Sequence, residues 1–504
     1  MHICFVHSHY ESLAIEYLSS ILRKNGHKTS LIFDPALFHN FFLDKNCLSR
    51  IFNFKNYILR KIEKDRPDMV AFSVISDNYG WILEISKQIK SKINATIVFG
   101  GIHPTAVPEY VLNDRVADYI VIGEGEHAFL DLVNALDRKQ NVTNIQNIGG
   151  YNGGNIYINP VRKPIADLDA LPFPDKDLFY DQCKMLVKDS YMIMGSRGCA
   201  NSCSYCWNST IHKIYGGNIY YRRRSPVNVI EELKWAIDKY KIKKVTFYDE
   251  VFTSDKKWLI EFLGLYKENV ALPYFCCVHP RDIDKKIVNL LSDSGCAALN
   301  IGIQTANEIT RVNILNRPGP NQQIIDALRA LRGTKIFVYS NIILGLPNEA
   351  ESDLIATLSF CNSYKADLPA IYWLRYYPGT RIVEIARNKL FITEDEVAKI
   401  NESKDYSPYA ISGSTYCKDA ARIGNLILLS GVIPKTIMDR LIRSRIYRFM
   451  PSVNLLFPVI IFMSYLKVIL EGKRCPFHYF GLFTYLKYHL FYIYKKMFCY
   501  LGIY

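Results

Sequence analysis

Residues 194–209 read "MGSRGCANSCSYCWNS" and put three cysteines, Cys199, Cys203 and Cys206, on one short loop. Three residues separate the first pair and two the second. The apolar run "YMIMGS" precedes the loop and a helical stretch follows it, so the loop joins a strand to a helix. The chain's 13 cysteines follow no regular spacing from Cys4 to Cys499. That usage suits a reducing compartment better than a disulfide framework, and most of the cysteines read as small buried hydrophobes. The loop triplet reads instead as a set of metal ligands.

Two metals fit three thiolates. A structural zinc ion needs a fourth ligand to close its tetrahedron, and His212 is the nearest candidate in sequence. An iron–sulfur cubane needs none, because three cysteinates hold three irons and leave the fourth open to a reactive ligand. Zinc ribbons usually pair two short cysteine hooks, whereas here all three ligands share one loop after a strand, which favours the cubane and a catalytic site.

Outward from the loop, strands and helices alternate. Downstream strands are expected at "KVTFYDE" (244–250), "YFCCVH" (274–279), "ALNIGIQ" (298–304), "FVYSNIILG" (337–345) and "AIYWLRYYP" (370–378). Helices separate them, as at Pro226 to Tyr240, where proline opens the first turn and Val229, Ile230, Leu233, Ile237 and Tyr240 share one face. Six such units are fewer than the eight of a closed barrel, which implies a partial, open (β/α)6 barrel. Upstream, "HICFV", "TSLIF", "MVAFSVI", "TIVFGG" and "YIVIGEG" alternate with amphipathic helices in the manner of a doubly wound, flavodoxin-like parallel sheet. In such sheets ligands sit beyond the carboxyl ends of the strands. The expected organisation is α/β: a first domain over 1–150, a linker rich in turn residues over 151–184, the barrel over 185–388 and a mainly helical region over 389–504.

The 504 residues carry a formal charge of +14. Eleven Lys and Arg against Asp439 and Glu471 place +9 of it after residue 434, among many Tyr, Phe, Leu and Ile. This region fits contact with an anionic membrane surface, or a solvated charged face over a helical core. Its most apolar stretch, 454–470, is interrupted by Pro458 and Lys467 and falls short of the roughly 20 residues a bilayer span needs. No secretory signal opens the chain, so a cytoplasmic protein, peripheral at a membrane at most, is expected.

The spacing Cys199-x-x-x-Cys203-x-Tyr205-Cys206, with an aromatic before the last cysteine, resembles the signature of radical S-adenosylmethionine (SAM) enzymes. The resemblance implies a 4Fe-4S cluster on the three cysteines, with SAM bound at the open iron. It implies SAM contacts at Tyr205, at the strand end Tyr248-Asp249-Glu250, at Gln304, and at Asn341 and Gly345 in "NIILGLP", with "YYPGT" as the loop after the sixth strand. A flavodoxin-like domain in front resembles the cobalamin-binding class of these enzymes. The corrinoid motif D-x-H-x-x-G is represented by His7-x-His9-x-x-Ser12, S-x-L by Ser73-x-Ile75, and G-G by Gly100-Gly101. The first departs at Asp and Gly, which puts a lower axial ligand from His9 in question. Ser73, Gly100, Gly101, His103, Pro104, Gly123, Glu124 and Gly125 are the remaining residues expected to hold cobalamin. Arg222, Arg223 and Arg224 suit either a bound carboxylate or a solvated charge run.

The function expected from the resemblance is methylation of an unactivated carbon, with one SAM as methyl source and a second cleaved to a 5′-deoxyadenosyl radical. The substrate is a small or lipid-like molecule, and a reductase, ferredoxin or flavodoxin supplies the electron. Two rivals are a ring-forming or rearranging enzyme without methyl transfer and an idle corrinoid- or metal-binding protein. An RNA-modifying methylthiotransferase fits less well, because neither an added cluster-binding domain nor a small C-terminal RNA-binding barrel is visible, so nucleic acid is not the expected partner.

Overall fold

The computed structural model describes residues 1–37, 53–182, 190–216, 220–403, 417–452, 457–473 and 490–494. The end of the expected linker, 183–184, and parts of the C-terminal region lie outside them.

The first sheet is built from β1 (His2–Ser8), β2 (Lys28–Asp34), β3 (Met69–Ser73), β4 (Thr96–Gly100) and β5 (Tyr119–Val121), all parallel. Helices α1 (Leu13–Lys24), α2 (Lys55–Asp65), α3 (Tyr79–Lys92), α4 (Ile102–Ala106), α5 (Pro108–Asn113) and α6 (Glu126–Asp137) wind around it. Alternate residues of β1 feed two separate cores: Ile3 and Phe5 pack on one face, Cys4 and Val6 on the other. Strands buried on both faces lose the polar alternation of a half-exposed sheet, which is why these segments read as continuous apolar runs. Ser12 caps α1 by accepting from the Ile15 N–H, and Gly26, at φ +85°, ends the turn that follows it.

Two antiparallel strands, β6 (Ile148–Asn152) and β7 (Asn155–Ile158), extend this sheet past residue 150, in the order β2-β1-β3-β4-β5-β6-β7. Gly153 and Gly154, both at positive φ, make the two-residue hairpin turn. The glycine-rich stretch "GGYNGGNIYINP" reads from the sequence as a hairpin opening the linker; it is a hairpin, and its first strand pairs with β5 of the first sheet.

After α7 (Asp177–Tyr180), the second sheet runs β15-β14-β13-β12-β11-β8, all parallel and in chain order. Its strands are β8 (Tyr191–Ile193), β11 (Val245–Phe247), β12 (Tyr274–Val278), β13 (Cys296–Gln304), β14 (Phe337–Leu344) and β15 (Leu368–Trp373). A short antiparallel ribbon, β9 (Ser196–Arg197) with β10 (Arg222–Arg223), brackets the cysteine loop and α8 (Asn208–Tyr215). The outer helices are α9 (Pro226–Tyr240), α10 (Lys256–Asn269), α11 (Lys285–Ser294), α12 (Glu308–Asn313), α13 (Asn321–Leu331) and α14 (Glu351–Ser363). The six strands form an open barrel, as the sequence implied. α9 has the expected bounds because Ser225 caps it and Pro226 occupies its first position.

Helices α15 (Arg381–Asn388), α16 (Glu394–Glu402), α17 (Lys418–Ser430), α18 (Lys435–Arg443) and α19 (Phe457–Leu470) follow, and α17 packs against β15 and α14. On α19, Phe462, Met463, Leu466 and Leu470 are exposed on one face. No described helix is long and apolar enough to cross a membrane.

Candidate active site

The cysteine loop is held from several sides. Gly198 enters it at φ +80°, where a Cβ would come within 2.7 Å of the Tyr220 carbonyl. The Ser204 N–H donates to the Leu315 carbonyl, the Asn316 amide donates to the Ser202 carbonyl at 2.8 Å, and the Ile382 N–H donates to the Ser204 carbonyl. Every cysteine sulfur has a donor beside it. Cys199 receives the N–H and amide of Asn201 at 3.4 and 3.5 Å, Cys206 the amide of Asn208 at 3.5 Å, and Cys203 the guanidinium of Arg317 at 3.7 Å. Donors of this kind stabilise thiolates in a metal-bound state. In the metal-free chain burial raises the Cys199 thiol and, with Glu250 nearby, pushes Cys206 up to about 12.

The zinc reading does not fit this arrangement. Zinc would need a fourth ligand beside the three sulfurs to close its tetrahedron. His212 is committed elsewhere, its Nε2 lying 2.8 Å from the Cys199 carbonyl. Three sulfurs on one loop, Cys199 and Cys203 buried and Cys206 half-buried, each with its own donor and with His212 turned away, fit a cubane.

The residues expected to meet SAM surround the loop unevenly. Tyr205 packs beside Cys203 and Arg317. Tyr248 and Glu250 line a cavity, whereas Asp249, 1% exposed, faces the opposite way. Its carboxylate accepts from the Gly195 N–H at 2.9 Å and the Ser196 hydroxyl at 2.5 Å, so it braces the strand leading to the cysteines. Both lie just past the end of β11, and the sequence alone did not separate Asp249 from Glu250. Gln304 ends β13 at φ +69°, where the register shifts, and its amide folds back over Gly302. A Cβ on Gly302 would lie 2.6 Å from Gln304 Nε2 and 2.9 Å from Arg317 Nη2, so glycine is what lets both side chains cross the strand end. The Asn341 Oδ1 is buried without a hydrogen-bond partner, an acceptor left for a ligand donor.

Gly345, at φ +73°, donates its N–H to Glu349 at 2.7 Å, and Leu346 does the same at 3.2 Å. Burial pushes the Glu349 carboxyl from 4.5 up to about 7. The folded chain therefore holds this proton more tightly than the unfolded one. The associated stability is complete below about pH 4.5 and is lost as pH rises through about 7, by at most about 3 kcal/mol. Thermal melts at pH 5.5 and 8 should show the loss, and Glu349→Gln should be less sensitive to that change than the parent.

A cavity of about 320 Å3 opens between the carboxyl ends of the first sheet and the cysteine loop. Ser73, Gly100, Gly101 and Gly123 line one side, and Trp207, Asn208, Tyr248 and Glu250 the other. Its deep end is apolar, with Phe5, Leu13, Ala71, Val98 and Phe129. At Gly101, φ +105°, a Cβ would meet the Val74 carbonyl at 2.8 Å. An apolar slot entered past bare glycine backbone fits the nucleotide tail of a corrinoid.

Of the other residues expected at the corrin, His9, His103 and Pro104 lie outside the cavity lining. His9 takes a left-handed turn at φ +81°, its Nδ1 is 2.8 Å from the Ser8 hydroxyl, and it does not line the cavity. His103 is fully buried, with Nδ1 3.1 Å from the Ser76 hydroxyl and its ring against Tyr79; burial lowers its pKa to about 4. Pro104 is buried beside it, and Gly125 lines the cavity. Glu124 also borders the cavity, but its carboxylate accepts from Arg222 at 2.6 and 3.1 Å and from the Ile165 N–H at 2.8 Å. Burial raises this carboxyl, yet Arg222 and Arg197 outweigh it and the net shift is downward. Arg197 also pairs with Glu126 at 2.5 Å, so both strands of the β9–β10 ribbon dock on the first domain through arginine. Gly123 is needed for the same contact: at φ +74° its Cβ would overlap the Tyr215 hydroxyl, which accepts from the Glu124 N–H.

The Arg222–Arg224 run is therefore not a solvated stretch, although Arg223 Nη1 is buried without a hydrogen-bond partner. Arg223 donates to the Val251 and Phe252 carbonyls and stacks on Trp258, and Arg224 pairs with the buried Glu232. Arg317, Asn201 and Asn208 escaped the sequence reading. Asparagines beside the cysteines were a weak local signal, while Arg317 reaches the loop only through the fold.

Comparison with known proteins agrees with this architecture. A family model described as "B12 binding domain" matches residues 6–133, and one described as "Radical SAM superfamily" matches 193–361. An uncharacterized methyltransferase of Pyrococcus horikoshii is 29% identical over 344 residues, covering 67% of this chain and 73% of that one. The anaerobic magnesium-protoporphyrin IX monomethyl ester cyclase of Rubrivivax gelatinosus is 26% identical over 406 residues, covering 75% and 68%. Among solved structures, the cobalamin-dependent SAM radical enzyme OxsB with aqua-cobalamin bound superposes with a TM-score of 0.66 at 14% identity, covering 99% of this chain and 80% of that one. The radical SAM methyltransferase TsrM of Kitasatospora setae gives 0.61 at 17% identity, covering 76% of each. At these identities the two superpositions speak for the fold alone. With both domains matched in order and the cysteine loop facing the glycine-lined slot, the chain belongs to the radical SAM enzymes that carry a B12-binding domain, and its cofactors are a 4Fe-4S cluster, SAM and cobalamin.

Proposed function

We propose that this enzyme transfers a methyl group to an unactivated carbon of a small or lipid-like substrate, with the electron supplied by a reductase, ferredoxin or flavodoxin. The observation that carries the reading is the single cavity bordered by Gly100 and Gly101 on one side and by Trp207, Asn208 and Glu250 on the other. A corrinoid in the slot and a cluster on the loop would then both be within reach of one substrate. When bound, the cofactors supply the electron, the hydrogen-abstracting radical and the methyl group.

The chain's own part is to bind, orient and exclude water. Cys199, Cys203 and Cys206 hold the cluster while Asn201, Asn208 and Arg317 donate to their sulfurs. Gln304, Asn341 and the Gly345 turn offer polar side chains and bare backbone to SAM. Ser73, Gly100 and Gly101 leave room for the corrinoid tail. Glu250 faces the cavity, and burial favours its neutral form, in which it donates a hydrogen bond rather than repelling an anion.

The test is anaerobic turnover with methyl-deuterated SAM and a metabolite and lipid extract. A product heavier by one labelled methyl, formed with 5′-deoxyadenosine and S-adenosylhomocysteine, is expected. The ring-forming relative from Rubrivivax gelatinosus favours a second reading, ring closure without methyl gain. An unlabelled product accompanied by 5′-deoxyadenosine would select it and discard methylation.

A further inference from the structure

We propose that α18 and the turn after it form a docking surface for membranes that carry anionic lipid, with cations of residues 435–449 on the headgroups and Phe449 inserted between them. The inference goes beyond the methylation reading and holds whatever the substrate. The segment "KTIMDRLIRSRIYRF" (435–449) holds five cations, Lys435, Arg440, Arg443, Arg445 and Arg448, against one acid, Asp439.

One side of the segment is anchored to the barrel. Met438 and Tyr447 are buried in the core outside the second sheet, and Leu441, Ile442 and Met450 pack against that core. The Tyr447 hydroxyl donates to Glu351 at 2.6 Å, and Asp439 accepts from the Asn362 amide at 2.8 Å, both partners lying on α14. Positions 438, 441 and 442 share this inward side, so Thr436, Arg440 and Arg443, at i, i+4 and i+7, share the outward one. These three are exposed, as are Lys435 and Ile437. At Arg445, φ +54°, the chain turns into a single 3-10 turn, Ile446–Phe449, whose first and last side chains eclipse at three residues per turn. Ile446 is 46% exposed and Phe449 89%. Both α18 and this turn pack on α17, so the outward residues of the two are carried by one support.

Charge then decides what fits. Glu351 already accepts from Tyr447 and Arg448. Lys435, Arg440, Arg443 and Arg445 enter no ion pair among the described residues. Unpaired positive charge is therefore interleaved with three exposed large apolar side chains, Ile437, Ile446 and Phe449. The boundary of an anionic bilayer takes both: headgroups surround the cations, and the acyl edge receives the apolar side chains. The aliphatic stems of arginine reach across the two levels. A nucleic acid would match the charge alone, since its phosphate backbone offers nothing to Ile437 and Ile446. A second copy of this chain would set like charges against each other.

The experiment uses full-length protein loaded with cluster and cobalamin and sedimented with sucrose-filled vesicles, made of phosphatidylcholine alone or mixed with phosphatidylserine at about 3:1. At about 0.1 M salt the mixed vesicles should bind at least about tenfold tighter than the neutral ones, and about 0.5 M salt should remove most of that difference. Arg440→Glu combined with Arg443→Glu should weaken binding to mixed vesicles at least about tenfold, and Phe449→Ser at least about threefold. Formation of 5′-deoxyadenosine should match the parent in both, which separates failure of this proposal from failure of the catalytic reading. No binding, equal binding to the two vesicle types, or mixed-vesicle binding that neither variant weakens overturns the proposal. A duplex oligonucleotide bound more tightly than the mixed vesicles and unaffected by Phe449→Ser would give the surface to nucleic acid instead. A dimer in sedimentation velocity that Phe449→Ser dissociates would give it to a second copy. If a variant fails to fold, the ratio between the two vesicle types on the parent protein decides.

Discussion

Alanine at any one of Cys199, Cys203 or Cys206 is expected to abolish formation of 5′-deoxyadenosine, to the level without enzyme, while leaving the chain folded. A cubane held at three irons has no spare protein ligand, and the loop from Gly198 to Trp207 carries no further Cys, His, Asp or Glu to replace a lost one. The nearest histidine, His212, is turned onto the Cys199 carbonyl. Folding should survive because the loop's backbone is anchored independently of the sulfurs, through Ser204 to Leu315, Asn316 to Ser202 and Ile382 to Ser204. Anaerobic reconstitution followed by iron analysis should give about four irons per chain for the parent and markedly fewer for each variant. Circular dichroism and a thermal melt should differ little. Parental turnover in any single-cysteine variant would remove the cluster from the mechanism.

The cysteine loop stands out in the sequence because its pattern is local. Three cysteines within eight residues, Cys199 to Cys206, carry their chemistry in their spacing. The two parallel sheets were legible for a related reason: burial on both faces writes apolar runs into each strand, and caps such as Ser225 with Pro226 fix helix ends. What stayed hidden depends on residues far apart in sequence. Glu124 looked like a cofactor residue because it follows Gly123, yet its partner is Arg222 across the domain boundary. Gly123 looked like a turn residue and is one, but it also admits the Tyr215 hydroxyl. His103 sits in a motif beside the cavity, and only the path of α4 shows that its ring turns inward to Ser76 and Tyr79. Motifs identify which loops face a site. They do not say which side chains of a loop do.

The same dependence on distant partners makes Lys176 the residue whose loss should cost the fold most. Its side chain is fully buried, with Nζ 2.6 Å from Glu11 and 2.8 Å from Glu16 and 4.9 Å from the centre of the Tyr191 ring. Glu11 and Glu16 belong to the start of the first domain and Tyr191 to the first barrel strand, so one ammonium joins both domains to the segment between them. Despite desolvation, the two carboxylates keep Lys176 charged, while desolvation with the neighbouring Glu11 raises Glu16. Lys176→Met has a similar length and no charge, and leaves two buried carboxylates facing each other. Stranding a buried charge in this way costs about 3–5 kcal/mol, a large share of a typical domain's stability. A lower urea midpoint is expected, with a larger deficit at pH 8 than at pH 5, because loss of the ammonium leaves the already raised Glu16 carboxyl holding its proton still more tightly folded than unfolded, and that stability is lost as pH rises. Combining Lys176→Met with Glu11→Gln and Glu16→Gln should recover most of the loss, since an uncharged trio leaves no stranded ion. If Lys176→Met alone melted like the parent at both pH values, the ammonium would not be the joint between the domains, and the Arg197–Glu126, Arg222–Glu124 and Arg375–Asp77 pairs would have to hold them together.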